Sequence, residues 1–441
     1  MSQPSPTTLA SYFQLIQETQ TIKRYGRINQ VIGLVIEGTG PVVAIGDMCH
    51  IYVDSKKVAV PAETVGFRDH KVLLMPLGEL RGIEPGCKII PLGFPAQAPV
   101  GKNLLGRVLD GMGNPVDDKG GLSFERECPL YARPSSAVLR KRITQPIDVG
   151  IRAINALLTI GKGQRMAIFS GSGVGKSTLL GMMARHTTAE VSVIALVGER
   201  GREVREFIEK DLGADGLRRS VLIVATSDQH PLLRMRGAYL ATAIAESFRD
   251  QGKDVLFMMD SITRFAMASR EVGLAIGEPP TAKGYTPSVF SQLPKLLERV
   301  GTTEGQGSIT GIYTVLVEGD DLNDPIADAI RSIADGHIVL SRDLANQGHY
   351  PAIDVLGSIS RVMTDIVSPE QMAARNKLAS VMATYKKSED LINIGAYVAG
   401  SNPQIDYAVK KIPEINAFLR QSVEEKVSHS DSFTHLKSLF C

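Results

Sequence analysis

Short apolar runs alternate with longer amphipathic stretches between Pro146 and Ala345. The runs MAIF, VSVIALV, VLIVAT and VLFMM have the length of buried strands, and the apolar residues that follow each run recur at helical spacing. Parallel strands need crossover connections of this length. The alternation therefore predicts a parallel sheet wrapped by helices, which is an α/β fold.

The regions on either side of this part have different patterns. From Arg24 to Gly93, runs such as DMCHIYV and HKVLLMPL are separated by Gly, Pro and Asp, which predicts a small β-barrel. After Pro369 the stretches EQMAARNKLASVMATYKK, PEINAFLRQ and SFTHLKSLF are helical in pattern. We predict a β-barrel domain over residues 24–93, an α/β domain over 94–368 and a helical C-terminal domain over 369–441.

The N-terminal segment 1–23 begins with a loose tail, MSQPSPTT, and continues with Leu9, Tyr12, Phe13 and Ile16 at helical spacing. This spacing predicts a short amphipathic helix. Such a helix either packs on its own protein or docks a partner, and the sequence leaves both possibilities open.

Composition and charge exclude several classes of protein. The chain has 441 residues, of which 49 are basic and 47 are acidic, so no overall field favours nucleic acid or an anionic membrane. The four cysteines lie far apart without a C-x-x-C pair, which argues against a zinc site or a disulfide framework. No apolar run approaches the roughly 20 residues that span a bilayer, and the N-terminus lacks a secretory leader, so we expect a cytoplasmic protein.

The stretch SGSGVGKST follows the run MAIF and precedes a helical pattern. A strand, a glycine turn and a helix N-terminus in this order predict a phosphate-binding loop, or P-loop. The glycines let backbone N–H groups converge on a β-phosphate, Lys176 reaches the β- and γ-oxygens, Ser177 completes a Mg²⁺ shell, and Thr178 binds the α-phosphate. The predicted phosphate-binding residues are Ser170, Gly171, Ser172, Gly173, Val174, Gly175, Lys176, Ser177 and Thr178.

One position departs from the pattern G-x-x-x-x-G-K-[ST], because Ser170 stands where the first glycine belongs. Serine is small, so we expect the turn to survive.

Two carboxylates complete the predicted chemistry, since a P-loop enzyme needs one acid near the metal and one that orients water. The run VLFMM delivers Asp260 to the carboxyl end of a strand, where it can act as a metal ligand. Glu199 leaves the end of VSVIALV and can polarise a water molecule opposite the γ-phosphate.

With these residues assembled, the chain resembles the catalytic subunits of the rotary ATPase superfamily, and most closely the flagellum-specific export ATPases of bacteria. The resemblance covers nearly the whole chain and is carried by stretches such as DVGIRAINALLTIGKGQRMAIFSGSGVGKS, MMDSITRFAMASREVGLAIGEPP, YTVLVEGDDLNDPIAD and DGHIVLSRDLANQGHYPAIDVLGSISR.

The resemblance implies a RecA-like core that binds ATP and Mg²⁺ in a homohexameric ring, with each site completed by a neighbour's arginine. The family motif S-x-S-R assigns that arginine to Arg361, and Arg200 matches a position that faces the γ-phosphate in relatives. The catalytic residues implied are thus Lys176, Glu199, Arg200 and Arg361. The positions that match the family's adenine-contacting aromatic residues hold Met372 and the pair Ser422–Val423.

The same resemblance implies a set of partners at the inner membrane, where the protein would be peripherally associated. The loop Leu274–Pro280 and the segment Lys283–Tyr285 would face a central pore that holds a coiled-coil stalk protein. The N-terminal helix would bind a stator-like regulator. Export chaperones, secreted flagellar proteins and the export gate complete the set, and no nucleic acid is expected.

Four other functions remain as alternatives. The ATPase of a virulence type III secretion system is the nearest, although GEPPTAKGYTPSVFSQLP and IEGTGPVVAIGD favour the flagellar system. A catalytic subunit of ATP synthase is disfavoured because the acidic lever D-E-L-S-E-E-D is missing. A non-catalytic ring subunit would carry Gln in place of Glu199. An RNA-tracking hexamer is disfavoured by the near-neutral charge.

Overall fold

The computed structural model describes residues 24–53, 58–317, 319, 321 and 324–440. The chain forms two compact units, Met1–Ala96 and Gln97–Cys441. The predicted N-terminal helix falls within residues 1–23 and lies outside the described residues.

Six antiparallel strands of the first unit close into a barrel in the order β1-β2-β5-β4-β3-β6. Alternate residues point inward, so Ile36, Ile51, Leu74 and Ile89 are fully buried and fill the interior. The predicted β-barrel is confirmed. Its strands are β1 (Gly26–Ile32), β2 (Val35–Thr39), β3 (Asp47–Val53), β4 (Val58–Arg68), β5 (Lys71–Pro76) and β6 (Lys88–Pro95).

The second unit contains two short two-stranded sheets and one large sheet. The pairs are β7 (Gln97–Val100) with β9 (Arg126–Pro129), and β10 (Pro146–Ile147) with β11 (Ile160–Gly161). The large sheet uses β8 (Val108–Asp110), β12 (Arg165–Ser170), β13 (Val191–Val197), β14 (Ser220–Ala225), β15 (Asp254–Asp260), β16 (Ser308–Leu316), β17 (Gly336–Leu340) and β18 (Ile353–Ser360).

The large sheet has eight strands in the order β18-β17-β12-β16-β15-β13-β14-β8. All neighbouring strands are parallel except β17 and β18, which are antiparallel. Every residue of β13 and β14 is buried, as expected for strands covered on both faces. The predicted α/β fold with a parallel sheet is confirmed.

The helices of this part follow the strands along the chain. They are α1 (Arg152–Leu157), α2 (Lys176–His186), α3 (Gly201–Glu206), a π-helical turn (Phe207–Leu212), α4 (Gly213–Arg218), α5 (Pro231–Asp250), α6 (Ile262–Ile276), α7 (Pro287–Leu297), α8 (Pro325–Ile333), α9 (Arg342–Asn346) and α10 (Met363–Ile366). Helix α5 packs across β13, β14 and β15. Helix α6 begins where the Ser261 hydroxyl accepts a hydrogen bond from the Arg264 N–H at 3.3 Å and ends at the left-handed Gly277.

The chain ends in the predicted helical region, which consists of α11 (Pro369–Asn393), α12 (Pro403–Leu419) and α13 (His429–Ser438). Helices α11 and α12 pack against each other, and α13 packs on α1. Leu378, Ile415 and Leu436 are fully buried and join the apolar core of the α/β part. None of the helices in the described part of the chain combines the length and the apolar character needed to cross a membrane.

Candidate functional site

The predicted P-loop connects the central strand β12 to helix α2. The strand ends at Ser170, which is fully buried, and the helix begins at Lys176. Gly173 and Gly175 have φ of 78° and 88°, a left-handed conformation that a residue with a Cβ rarely adopts. Val174 is 1% exposed and anchors the loop in the apolar core. The loop therefore lies at the N-terminus of α2, whose free N–H groups and dipole favour a phosphate.

Parallel pairing brings the two predicted carboxylates to the same edge of the sheet. Leu196, near the end of β13, pairs with Asp260 at the end of β15, and Glu199 follows β13 by two residues. The Lys176 ammonium contacts Asp260 Oδ1 directly and lies 3.4 Å from Glu199 Oε1. Thr314 Oγ1 also donates to Asp260 Oδ1, at 2.7 Å. The structure thus unites Lys176, Glu199 and Asp260 at the carboxyl edge, where open α/β sheets bind ligands.

Burial controls the charges of this cluster. Burial, followed by the nearby charge of Asp260, raises the pKa of Glu199 to about 7, which is suited to proton transfer near neutral pH. Burial by itself would lower the pKa of Lys176, but the charges of Asp260 and Glu199 outweigh it and raise that pKa. Lys176 therefore stays positively charged, as a phosphate ligand must.

The two hydroxyl residues that follow Lys176 have different environments. Ser177 is exposed and lines the same small depression as Glu199 and Asp260. Thr178 hydrogen-bonds the carboxylate of Asp211, whose pKa is raised by burial. The predicted contact of Thr178 with an α-phosphate stays a prediction.

The donor set at this edge fits a magnesium ion. Ser177 offers a hydroxyl and Asp260 a carboxylate, and Mg²⁺ takes hard oxygen ligands and keeps most of its shell from phosphates and water. Among the described residues, no group of three or more His, Cys, Asp or Glu side chains could hold a metal by itself. Magnesium would therefore enter with the nucleotide, and Ser177 and Asp260 would hold it.

The two arginines implied by the family resemblance are both exposed. The Arg200 side chain is 83% exposed, and its guanidinium lies 3.9 Å from Glu203 Oε1. Arg361 is exposed at the end of β18, where its N–H donates to the Asp335 carbonyl at 3.0 Å. Because β18 runs antiparallel to its neighbour, Arg361 lies at the amino edge of the sheet beside the start of β12.

That position separates Arg361 from the P-loop of its own chain. The loop follows the carboxyl end of β12, and five residue steps of roughly 3.3 Å give about 16 Å along the strand. The assignments of Arg200 and Arg361 to phosphate chemistry stay predictions.

Two further residues near the P-loop were missed by the sequence reasoning. Arg264 packs on the backbone that leads to Glu199, because a Cβ added to Gly198 would lie 2.7 Å from Arg264 Cβ. Arg264 also lines a cavity of about 590 Å³ together with Ser170 and Ser172. The sequence signal that could have identified Arg264 is its position one helical turn beyond Asp260, at the start of α6.

The second missed residue is Tyr350, in the connection between β17 and β18. A Cβ added to Gly175 would lie 3.4 Å from Tyr350 Cε1, so the ring stands beside the P-loop, and Tyr350 is 45% exposed. Such a ring offers an open aromatic face to a base. Met372, in contrast, lies in the first turn of α11.

The segment that carries Val423 is fixed to the α/β core by polar contacts. Arg185, in the last turn of α2, donates to the Val423 carbonyl at 3.0 Å. The Gln421 N–H donates to the Tyr350 carbonyl at 3.0 Å, and Arg152 forms an ion pair with Glu425. Gln421 is therefore tied to Tyr350 beside the P-loop, and Val423 is tied to the last turn of α2.

Three family models match successive parts of the chain. Residues 28–93 match the β-barrel domain of the ATP synthase alpha/beta family, and residues 150–360 match its nucleotide-binding domain. Residues 367–438 match the C-terminal domain of the type III secretion ATPase EscN.

Curated relatives match over nearly their full length. The flagellum-specific ATP synthase of Bacillus subtilis is 54% identical, with 97% of this chain and 98% of the relative covered. The protein of the same name from Salmonella typhimurium is 50% identical over 95% and 94% of the two chains. The type 3 secretion system ATPase of Xanthomonas euvesicatoria is 48% identical over 95% and 94%.

Solved structures agree with this relationship. The assembled ATPase EscN from enteropathogenic E. coli superimposes with a TM-score of 0.88 at 45% identity, covering 94% of this chain and all of that one. EscN in complex with its central stalk EscO gives a TM-score of 0.87 over the same shares of the two chains.

We predict that Lys176→Ala weakens ATP binding by roughly a hundredfold, since an ammonium makes charge-assisted bonds to phosphate that alanine cannot replace. Isothermal titration with Mg-ATP measures the change, and circular dichroism checks that the variant folds. Arg218→Ala, on the exposed helix α4, is the matched control. Wild-type affinity in a folded Lys176→Ala protein would contradict the role assigned to Lys176.

We predict that Tyr350→Ser lowers the affinity for ATP by roughly tenfold, because stacking of a base on an aromatic ring contributes about 1–3 kcal/mol. Tyr350→Phe keeps the ring and should bind as wild type does. Inorganic triphosphate, which has no base, should bind all three proteins equally. Equal loss of ATP and triphosphate binding in Tyr350→Ser would place the ring outside the base site.

Proposed function

This chain belongs to the family of flagellum-specific and type III secretion ATPases, and from that membership we propose that it is a Mg-ATP-hydrolysing ring ATPase that energises protein export through the bacterial flagellar type III secretion apparatus. The observation that carries the proposal is the cluster of Lys176, Glu199 and Asp260 at the P-loop. Lys176 supplies a cation that can bind phosphate, Glu199 is a candidate base and Asp260 is a candidate metal ligand, all within one site.

The comparisons support the flagellar apparatus, and the virulence system is no better supported. Flagellum-specific relatives are 46% to 54% identical, and the type 3 secretion system ATPase from Xanthomonas is 48% identical. The presence of Glu199 supports a catalytic rather than a scaffolding subunit. The missing acidic lever argues against ATP synthesis by a rotary stalk of the ATP synthase type.

Each residue of the site has a separate role in the hydrolysis reaction. The amides of Gly171–Gly175 and the Lys176 ammonium bind the phosphates, and Tyr350 and the Val423 segment hold the adenine. Glu199 accepts a hydrogen bond from the attacking water and orients it toward the γ-phosphorus. A magnesium ion held by Ser177 and Asp260 would neutralise charge on the phosphate oxygens. Arg264 adds positive charge on the side of Glu199.

The position of Arg361 supports an active site shared between two copies of the chain. Its distance from its own P-loop leaves it available to a neighbour, where an arginine stabilises charge on the transferring phosphoryl group. A heterologous contact that brings one chain's amino edge to the next chain's carboxyl edge forms a ring when the rotation between neighbours closes. We propose a homohexamer, in which Arg200 also faces the γ-phosphate once the nucleotide is bound.

The partners and location of the protein follow from the same proposal. EscN was solved as a complex with its central stalk, and we propose that a coiled-coil stalk protein occupies the pore here, next to Leu274–Pro280 and Lys283–Tyr285. Residues 1–23 would bind the stator-like regulator. Export chaperones and secreted flagellar proteins would be delivered to the export gate at the cytoplasmic face of the inner membrane. Nucleic acid has no part in this cycle.

ATPase activity per subunit should rise steeply with protein concentration, because each complete site needs two copies of the chain. A phosphate-release assay over a hundredfold concentration range, with mass photometry on the same samples, measures rate and assembly together. The specific activity should follow the fraction of rings. A rate per subunit that stays constant while monomers convert to rings would refute the shared site.

Glu199→Gln and Arg361→Ala should each be nearly inactive alone, with turnover reduced at least a hundredfold. A 1:1 mixture should regain activity, because random assembly creates intact sites at about a quarter of the interfaces. In those sites Glu199 comes from one variant and Arg361 from the other. Mixing Glu199→Gln with the double variant supplies no intact site and serves as the control. Failure of the first mixture to exceed the control, despite ring formation, would show that Arg361 does not act across the interface.

A further inference from the structure

A guanidinium from a distant part of the chain contacts the tip of the P-loop. Arg342 Nη1 donates a hydrogen bond to the carbonyl oxygen of Ser172 at 3.2 Å, across 170 residues of sequence. Within the described residues, no other side chain hydrogen-bonds the main chain of residues 171–174. Both Arg342 and Ser172 line the cavity of about 590 Å³ beside the P-loop.

The peptide that Arg342 contacts is one that could otherwise rotate easily. Ser172 lies between Gly171 and Gly173, and glycine permits the backbone angles that a peptide flip requires. Gly173 already has a φ of 78°, and nothing lies within 4 Å of a Cβ added there. The open space beside the Gly173 Cα therefore does not oppose rotation of this peptide.

The orientation of the Ser172–Gly173 peptide matters because one side of a peptide presents a partly negative oxygen and the other side a partly positive hydrogen. In a planar trans peptide the C=O and the N–H point in opposite directions. If the Ser172 carbonyl turned toward a bound phosphate, two partial negative charges would face each other, and the Gly173 N–H would be lost as a donor. A guanidinium that holds the carbonyl on the other side prevents that flip.

Arg342 can act in this way because its own backbone is fixed. It is the first residue of α9, which follows Ser341, and the Ser341 N–H donates to the Ala352 carbonyl at 2.8 Å. The His349 N–H donates to the Leu344 carbonyl at 2.9 Å and closes the connection. Tyr350, at the far end of the same connection, stands beside Gly175. One segment thus contacts the P-loop at both of its ends.

We propose that Arg342 is a positioning residue of the P-loop, which fixes the Ser172–Gly173 peptide so that the Gly173 N–H faces the bound phosphates. The proposal rests on the nucleotide-binding function proposed above. It makes the connection between β17 and β18 part of the phosphate site, with Arg342 acting through the loop backbone.

The test compares two nucleotides that differ in the γ-phosphate. Arg342→Ala, Arg342→Lys and the control Arg218→Ala are titrated with Mg-ADP and with a non-hydrolysable Mg-ATP analogue by calorimetry. If Arg342 positions the loop, both affinities in Arg342→Ala fall by the same factor, roughly fivefold to tenfold, which is the size of one ordinary net hydrogen bond. Arg342→Lys, which keeps a cationic donor, recovers part of the loss, and Arg218→Ala binds as wild type.

Two results would overturn the inference. Unchanged ADP affinity in a folded Arg342→Ala protein would show that the contact does not shape the loop. A loss confined to the ATP analogue would mean that Arg342 contacts the γ-phosphate directly. Failure of the wild-type protein to bind either nucleotide would instead refute the proposed function, so the two failures are distinguishable.

Discussion

An ammonium group enclosed by two carboxylates at the end of a parallel sheet is the interaction on which the site depends. Lys176 contacts Asp260 and lies 3.4 Å from Glu199, and all three groups are largely withdrawn from water. Isolated buried charges are costly, but each of these is compensated by the others. The cluster can exist only because β12, β13 and β15 end at the same edge. The fold therefore assembles the predicted phosphate-binding lysine and both carboxylates in one place.

The same sheet explains why one chain is insufficient for the proposed reaction. Parallel strands place all of the phosphate chemistry at their carboxyl ends. The antiparallel β18 reverses direction and carries Arg361 to the opposite edge. A chain built in this way has the predicted phosphate site on one side and the exposed Arg361 guanidinium on the other. In the proposed ring, Arg361 of one copy would meet the phosphate site of the next copy, and this is the geometric basis of the proposal.

The connection between β17 and β18 links these features within a single chain. Its residues contact the P-loop at Ser172 and Gly175 through Arg342 and Tyr350, and β18 then runs to Arg361. The Tyr350 carbonyl also accepts a hydrogen bond from Gln421, which joins the connection to the C-terminal helices. A nucleotide bound as proposed would therefore lie beside a segment that leads to Arg361 and is hydrogen-bonded to the helical region.

The sequence by itself determined the α/β class, the barrel, the helical C-terminal region, the P-loop and the strand-end positions of Glu199 and Asp260. These features depend on short-range periodicity and on residues within a few positions of one another. The tertiary structure alone decided which strands are neighbours, and the sheet order does not follow the chain. That order brings Lys176 to Asp260 across 84 residues, places Arg264 and Tyr350 at the loop, and leaves Arg361 at the far edge. Local patterns cannot encode such contacts, because strand order is settled by packing of the whole sheet.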